Sequence, residues 1–161
     1  MNKILSSNSA ESIIKKLKQQ NKKIVICGGC FDILHIGHIK FLQKAKQKGD
    51  ILILFLESDE AVKKLKGPNR PINSQNDRAQ ILSSIIFVDY IINLEGILTN
   101  ADYDNLILKI KPDVIAATKE ELQNFHIKRQ AKLSGAKVSY VIGRFSDRST
   151  SNLAKQIAKD F

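Results

Sequence analysis

Residues 24–38 constrain the fold of this chain more than any other stretch. Ile24-Val25-Ile26-Cys27 is a short, β-branched apolar run that stops at Gly28-Gly29, the pattern of a buried strand ending in a tight turn. Beyond the turn, Ile39, Leu42 and Ala45 share one helical face while Lys40, Lys44 and Lys48 occupy the rest, which predicts an amphipathic helix from about Gly37 to Lys48. Strand, glycine turn and helix in that order aim unpaired backbone N–H groups and the positive end of a helix dipole at one spot, an anion site. His35 and His38 stand three residues apart and share a face there, and Gly37 between them lets a flat or bulky group approach the backbone. The chain has only three histidines. Two of them flanking one glycine at a helix start favour a binding function over two incidental surface histidines.

The same alternation continues along the chain. Ile51 to Leu56 is a continuous apolar run, as in a parallel strand covered on both faces. A short helix from about Asp59 to Leu65 follows, then the glycine/proline loop Lys66-Gly67-Pro68-Asn69-Arg70-Pro71-Ile72. Asn73 to Ser84 reads as a helix capped by Asn73 or Ser74, with Ala79, Ile81, Leu82 and Ile85 facing inward. Strands are expected at 87–92, 112–117 and 137–142, with helices ending at Lys111 and Ser134. Upstream, Ser9 to Gln20 is an amphipathic helix with Ser9 as its cap and Ile13, Ile14 and Leu17 on one side, placed to cover the sheet or a partner subunit. Strict β/α alternation means right-handed crossovers. The expected fold is α/β, a Rossmann-like three-layer sandwich with a parallel sheet of about five strands and helices on both faces. A single domain spanning 1–161 is expected, the 9–20 helix forming an extension.

No apolar run reaches the roughly 20 residues of a membrane span. Met1 to Ser7 is short and polar for a signal peptide, so a cytoplasmic location is expected. The net charge of +10 fits nucleic acid, an acidic membrane surface or phosphorylated small molecules. The lysines are scattered, however, without the aromatic-and-basic alternation of single-strand binders, so neither nucleic acid nor membrane is expected as a partner. Cys27 and Cys30 form a C-x-x-C that alone reads as a redox pair or half a zinc site. No second cysteine pair exists to complete a structural zinc site, and no protein metal ligand is predicted.

Near the C-terminus, Ser149, Thr150 and Ser151 form a hydroxyl cluster before a helix expected at 152–159, with Arg144 and Arg148 in the same loop. Hydroxyls, backbone amides and the helix dipole together suit a phosphate, although serine and threonine caps are common.

Gly28-Gly29-Cys30-Phe31-Asp32-Ile33-Leu34-His35-Ile36-Gly37-His38 resembles the His-x-Gly-His signature of the cytidylyltransferase-like nucleotidyltransferases. Within that superfamily the stretch is most similar to the adenylyltransferase domain that activates heptose 1-phosphate, and next to glycerol-3-phosphate cytidylyltransferase. Lys-Leu-Lys-Gly-Pro-x-Arg-Pro resembles the corresponding loop of the heptose-1-phosphate enzymes, which implies that Lys66, and Arg70 behind it, reach phosphate. Arg78 stands where the family has the arginine of a Gln-Arg pair; the neighbour here is Asp77, and an exposed arginine paired with Asp77 is the competing reading. Arg144 and the cluster Ser149, Thr150, Ser151 are similar to an Arg-x-x-x-Ile-Ser-Thr-Thr element. The likeness spans roughly residues 10 to 158. It departs after the strand at 112–117, where Ala116-Ala117-Thr118-Lys119-Glu120 replaces a Gly-Gly-Asp or Gly-His-Asp that would face the base or ribose.

The resemblance implies transfer of a nucleoside monophosphate from an NTP to a phosphorylated small molecule, with ATP and a sugar 1-phosphate the first choice. CTP with glycerol phosphate or a related alcohol phosphate is the alternative, and a non-catalytic nucleotide- or nucleic-acid-binding protein is the alternative of another class. The implied catalytic residues are His35, His38, Lys66 and Arg144. Gly28, Gly29, Cys30, Phe31, His35, Gly37, His38, Arg78, Ser149, Thr150 and Ser151 are the implied nucleotide contacts. Mg²⁺ is expected mainly on the NTP phosphates, and a homodimer is implied because small members of the family are commonly dimers.

Overall fold

A computed structural model describes residues 2–119 and 124–143. In chain order these form β1 (Ile4–Leu5), α1 (Ser7–Gln19), β2 (Ile24–Gly29), α2 (Ile36–Lys46), β3 (Ile51–Leu56), α3 (Asp59–Lys66), α4 (Gln75–Ser83), β4 (Tyr90–Asn93), α5 (Asn100–Ile110), β5 (Val114–Thr118), α6 (Asn124–Ser134) and β6 (Lys137–Ile142). The strands make one six-stranded sheet in the order β1-β4-β3-β2-β5-β6, parallel at every pairing. The expected α/β architecture is present, with one strand more than the five anticipated. That strand, β1, is two residues long and too short to carry a period-2 signal; Ile4 and Leu5 lie against Ile91 and Ile92 at the sheet edge.

Apolar runs without alternation are explained by helices on both faces of the sheet. Val25, Cys27, Leu52, Leu54 and Leu56 point to one face and pack with Phe41, Leu42 and Ala45 of α2 and Ala79 and Leu82 of α4. Ile24, Ile26, Ile53 and Phe55 point to the other, against Ile14 and Leu17 of α1, Ile107 and Ile110 of α5 and Ala131 of α6. Burying each such side chain stabilises the fold by about 1.5–3 kcal/mol. The N-terminal helix therefore covers the sheet. Its cap is Ser6, whose hydroxyl accepts from the Ser9 amide, so the helix starts earlier than the Ser9 expected. Ile81, predicted inward, is 45% exposed; α4 turns only Arg78, Ala79 and Leu82 to the interior.

Aspartates fix where strands begin. The carboxylates of Asp50 and Asp113 accept from the Lys23 and Ile24 amides at 2.7 Å each. Asp89 accepts from the Leu52 amide and Lys46 Nζ at 2.7 and 2.5 Å. Amides at a sheet rim lack a ladder partner and need such an acceptor. This is why β4 starts at Tyr90 rather than at the predicted Phe87.

The chain runs outward from β2 to β3 and β4, then crosses back to place β5 on the other side of β2. The C-terminal end of β2 is therefore a topological switch point, where the connecting loops part and leave a crevice. Gly49 closes the turn into β3 so tightly that a Cβ there would lie 2.7 Å from both Lys23 O and Val25 Cγ2. Gly49→Ala is expected to destabilise the fold by about 1–3 kcal/mol in urea titrations through this overpacking.

Candidate functional site

Gly28 and Gly29 are the last two residues of β2, and the turn after them is built to hold the start of α2 in place. Phe31 adopts φ 45°, and its ring folds back under Gly29, where a Cβ would lie 2.9 Å from Phe31 Cε2. Gly29 is thus required by close approach. The Phe31 ring is itself only 6% exposed, so its side chain is a core wedge. His35, in extended backbone, is the N-cap of α2: its Nδ1 accepts from the Gly37 amide at 3.1 Å. Gly37 and His38 follow in the first turn.

The two imidazoles do share a face. Their ring centroids lie 3.9 Å apart, stacked at 26°, and the His38 ring also leans on Phe31 at 5.1 Å. Burial, then the neighbouring His35 and Lys66, push His38 down to about 4 from 6.5. Burial lowers His35 as well. Both rings are therefore neutral near pH 7. Because His35 Nδ1 accepts a hydrogen bond, the hydrogen-bond pattern assigns its proton to Nε2, leaving that N–H free to donate outward. His38 Nδ1 is buried without a hydrogen-bond partner among the described residues. Lys66, the exposed last residue of α3, is close enough for its charge to act on both His38 and Cys30. The structure thus brings His35, Gly37, His38 and Lys66 together at the switch point.

Two buried charges brace this cluster, and neither role was visible in the sequence. Asp32, 4% exposed, accepts from the Ile72 amide at 2.7 Å and the Asn73 amide at 3.2 Å, and pairs with the Arg70 guanidinium. This clamps the glycine/proline loop onto the turn. Arg70, expected to reach phosphate, is instead committed to Asp32. Arg78 is 1% exposed and lies beneath the loops rather than among them. It donates to Cys30 O at 2.5 Å, Asn73 O at 3.1 Å, and Glu57 O and Asp59 Oδ1 at 2.9 and 2.7 Å. The direct nucleotide contact and the exposed Asp77 pair are both replaced by a structural guanidinium that joins three loops. The Gln75 amide adds a link, donating to Leu56 O at 3.0 Å and Leu94 O at 2.8 Å across the ends of β3 and β4.

Cys27 and Cys30 form no disulfide, and Cys27 is buried. Burial, ahead of mixed nearby charges, raises the Cys30 thiol above its ordinary pKa. Arg144, Ser149, Thr150 and Ser151 lie outside the described residues. Mg²⁺ takes oxygen ligands in a near-octahedral set. Among the described residues no group of three or more His, Cys, Asp or Glu is arranged to hold a metal ion. Asp32, the carboxylate in the turn, has its oxygens engaged by Arg70 and two amides. The described side chains alone therefore do not make a magnesium cage.

The cytidylyltransferase-like family matches residues 26–157, most of the chain and all of this cluster. The chain belongs to that family. Curated relatives include the bifunctional protein HldE of a Nitratiruptor species, 50% identical over 105 residues, covering 65% of this chain and 22% of the relative. The HldE of Campylobacter concisus is 51% identical over 108 residues, 66% of this chain and 22% of the relative. The chain spans about a fifth of the length of these relatives. Among solved structures, the lipopolysaccharide core biosynthesis protein of Thermoplasma volcanium superposes with TM-score 0.61 at 26% identity, covering 80% of this chain and 99% of that one. The pantoate-beta-alanine ligase of Francisella tularensis shares the fold, with TM-score 0.64 at 22% identity over 92% of this chain and 68% of the other. Family membership and the α/β fold agree with the expectation drawn from the His-x-Gly-His stretch.

Because His38 has a lower pKa folded than unfolded, the unfolded chain binds more protons between about pH 6.5 and pH 4. The stability this site contributes is fully present above pH 6.5 and is lost as the pH falls toward 4. Between pH 7.5 and 4.5, urea titrations should show the protein losing about 2–3 kcal/mol more than His38→Asn does. Arg78→Met, which strands the carbonyls of Cys30, Glu57 and Asn73, should cost about 3 kcal/mol or more by the same measurement.

Proposed function

We propose that this chain is a nucleotidyltransferase that joins the nucleoside monophosphate of an NTP, ATP first, to a sugar 1-phosphate and releases pyrophosphate. The observation that carries the reading is the stacked, neutral His35–His38 pair at the start of α2, beside Lys66 and above the switch point. The likeness to HldE over the matched region supports a phosphorylated sugar as co-substrate.

The chemistry needs positioning and electrostatics rather than a base. A phosphate monoester is already largely ionised near pH 7. One of its oxygens attacks the α-phosphorus in line, forming the new P–O bond. The bond from that phosphorus to the bridging oxygen breaks, and the electron pair leaves on pyrophosphate. Charge builds on the α-phosphoryl oxygens and the leaving oxygen. Neutral imidazoles fixed by packing offer N–H donors to those oxygens without reorganising during the step. Lys66 supplies positive charge from outside, and the family resemblance makes Arg144, Ser149, Thr150 and Ser151 further phosphate contacts in this reading. The exposed backbone of Gly28 and the turn at Cys30 give the nucleotide room to lie against the sheet end. Magnesium enters only as an ion carried by the triphosphate.

The family's cytidylyltransferase-like character favours one second reading, CTP with glycerol phosphate or another alcohol phosphate. In either case we take the protein to work in the cytoplasm as a homodimer on small phosphates, without nucleic acid or membrane partners; no helix of the described residues is long and apolar enough to cross a membrane.

Pyrophosphate release with ATP, CTP, GTP and UTP, each crossed against sugar and polyol phosphates, tests the reading. Turnover should be highest with ATP and a sugar 1-phosphate, and no release with any pair would refute it. His38→Ala should cut turnover at least about a hundredfold, the usual cost of one lost transition-state donor, while circular dichroism reports an intact fold.

A further inference from the structure

Outside the phosphate-directed cluster, the C-terminal end of β3 carries a group of opposite character. Glu57 follows Leu56 directly, and its amide donates to Gly29 O at 3.2 Å, so it stands beside the glycine pair of β2. Its carboxylate is half-buried, and burial raises its pKa above the usual carboxylate range, ahead of the opposing effects of Tyr103 and Arg78. The Tyr103 hydroxyl of α5 donates to Oε1 at 2.7 Å. Arg78, the nearby cation, donates to the Glu57 carbonyl and the Asp59 carboxylate instead. A carboxylate has about four acceptor positions, and one neutral hydroxyl is the only donor on this one among the described residues.

Alternation along β3 puts Glu57 on the same face as Phe55, and Gly28 of β2 lies opposite Phe55 in the register. Among the described residues, a Cβ at Gly28 would meet only Phe55. Among the described residues, no side chain of β2 therefore stands beside Glu57 at this position. A carboxylate repels phosphate, so a co-substrate that meets the nucleotide at Gly28 from the β3 side gains at this rim only by presenting hydroxyl donors. The nucleotide's crevice is the switch point between β2 and β5, while Glu57 stands on the β3 side of β2. That side is left for the co-substrate.

We infer that Glu57, held by Tyr103, is a specificity-determining residue that accepts hydrogen bonds from hydroxyl groups of the sugar-phosphate co-substrate. The inference rests on the proposed transferase reading and narrows its co-substrate to a polyhydroxylated phosphate. A site built to pair with substrate hydroxyls discriminates strongly against an analogue lacking them, because its own polar groups are left unpaired.

Calorimetric titration of the full chain, with the α,β-methylene analogue of ATP, whose α–β bridge does not cleave, and then with mannose 1-phosphate or ethyl phosphate, tests it. Glu57→Gln and Tyr103→Phe serve as the variants, each first checked for an unchanged melting profile. Mannose 1-phosphate should bind wild type at least tenfold more tightly than ethyl phosphate. Glu57→Gln should weaken mannose 1-phosphate at least tenfold, with the ATP analogue and ethyl phosphate within twofold of wild type. Tyr103→Phe should give a smaller loss confined to the same ligand. Three results would overturn the assignment: unchanged mannose 1-phosphate binding in Glu57→Gln, equal weakening of all three ligands, or a loss confined to the ATP analogue, which would give the carboxylate to the ribose. Wild type that binds the ATP analogue but does not prefer mannose 1-phosphate would also overturn it. Wild type that binds no nucleotide would remove the transferase reading itself, and this inference with it.

Discussion

The site depends on one buried guanidinium. Arg78 rises from α4 into a space closed to water and donates to the turn after β2, to the residues after β3 and to the loop entering α4. None of those carbonyls has a place in a helix or a strand ladder, and unpaired buried carbonyls are costly. A single planar cation with five donors meets that need in a way a lysine ammonium cannot. Asp32 does the converse, drawing Arg70 and two backbone amides inward. One inward cation and one inward anion therefore hold the loops that carry His35, His38 and Lys66. Positioning on this scale matters for a reaction whose rate depends on geometry more than on proton transfer.

Burial also sets the charge of the site. The packing that stacks the two imidazoles and leans one on Phe31 removes them from water and keeps them neutral. A histidinium pair would attract a triphosphate more strongly in the ground state. Neutral donors fixed in place favour instead the charge that develops during transfer, since their pull on the bound substrate is weaker. In the proposed reaction, the positive charge for capture comes from the exposed Lys66 and the overall +10 of the chain, which act at a distance.

Local pattern made the strand–turn–helix legible from residues 24–38 alone, because apolar periodicity and glycine placement are properties of neighbours in sequence. The histidine pair was legible for the same reason: spacing of three at a helix start fixes a shared face. What stayed hidden required tertiary context. The partner of Arg78 is Asp59, 19 residues earlier, whereas the sequence offers Asp77 next to it. Phe31 stands among the implied nucleotide contacts, and only the folded chain shows that a left-handed backbone turns its ring under Gly29. Ile81 fits a helical stripe, but α4 presents a narrower face to the sheet than its apolar residues imply. Two-residue β1 carries no periodicity at all, and only its pairing with β4 makes it a strand. Glu57 follows an apolar run like any strand-end acid, and nothing in the order of residues places Tyr103 at its carboxylate.

Taken together, the charged groups give the sheet end a polarity. The helix start, the imidazole N–H groups and Lys66 favour anions at the end of β2, while Glu57 disfavours them at the end of β3. Adjacent strands in a parallel sheet are about 4.8 Å apart, so attraction and repulsion act within the length of one sugar phosphate. A ligand with phosphate at one end and hydroxyls at the other gains from both only in one orientation. The reversed orientation sets its phosphate against a half-buried carboxylate, where like charges are poorly screened. The proposed in-line attack needs the acceptor phosphate directed at the α-phosphorus. A carboxylate that repels it from the far rim favours that orientation without touching any reacting atom.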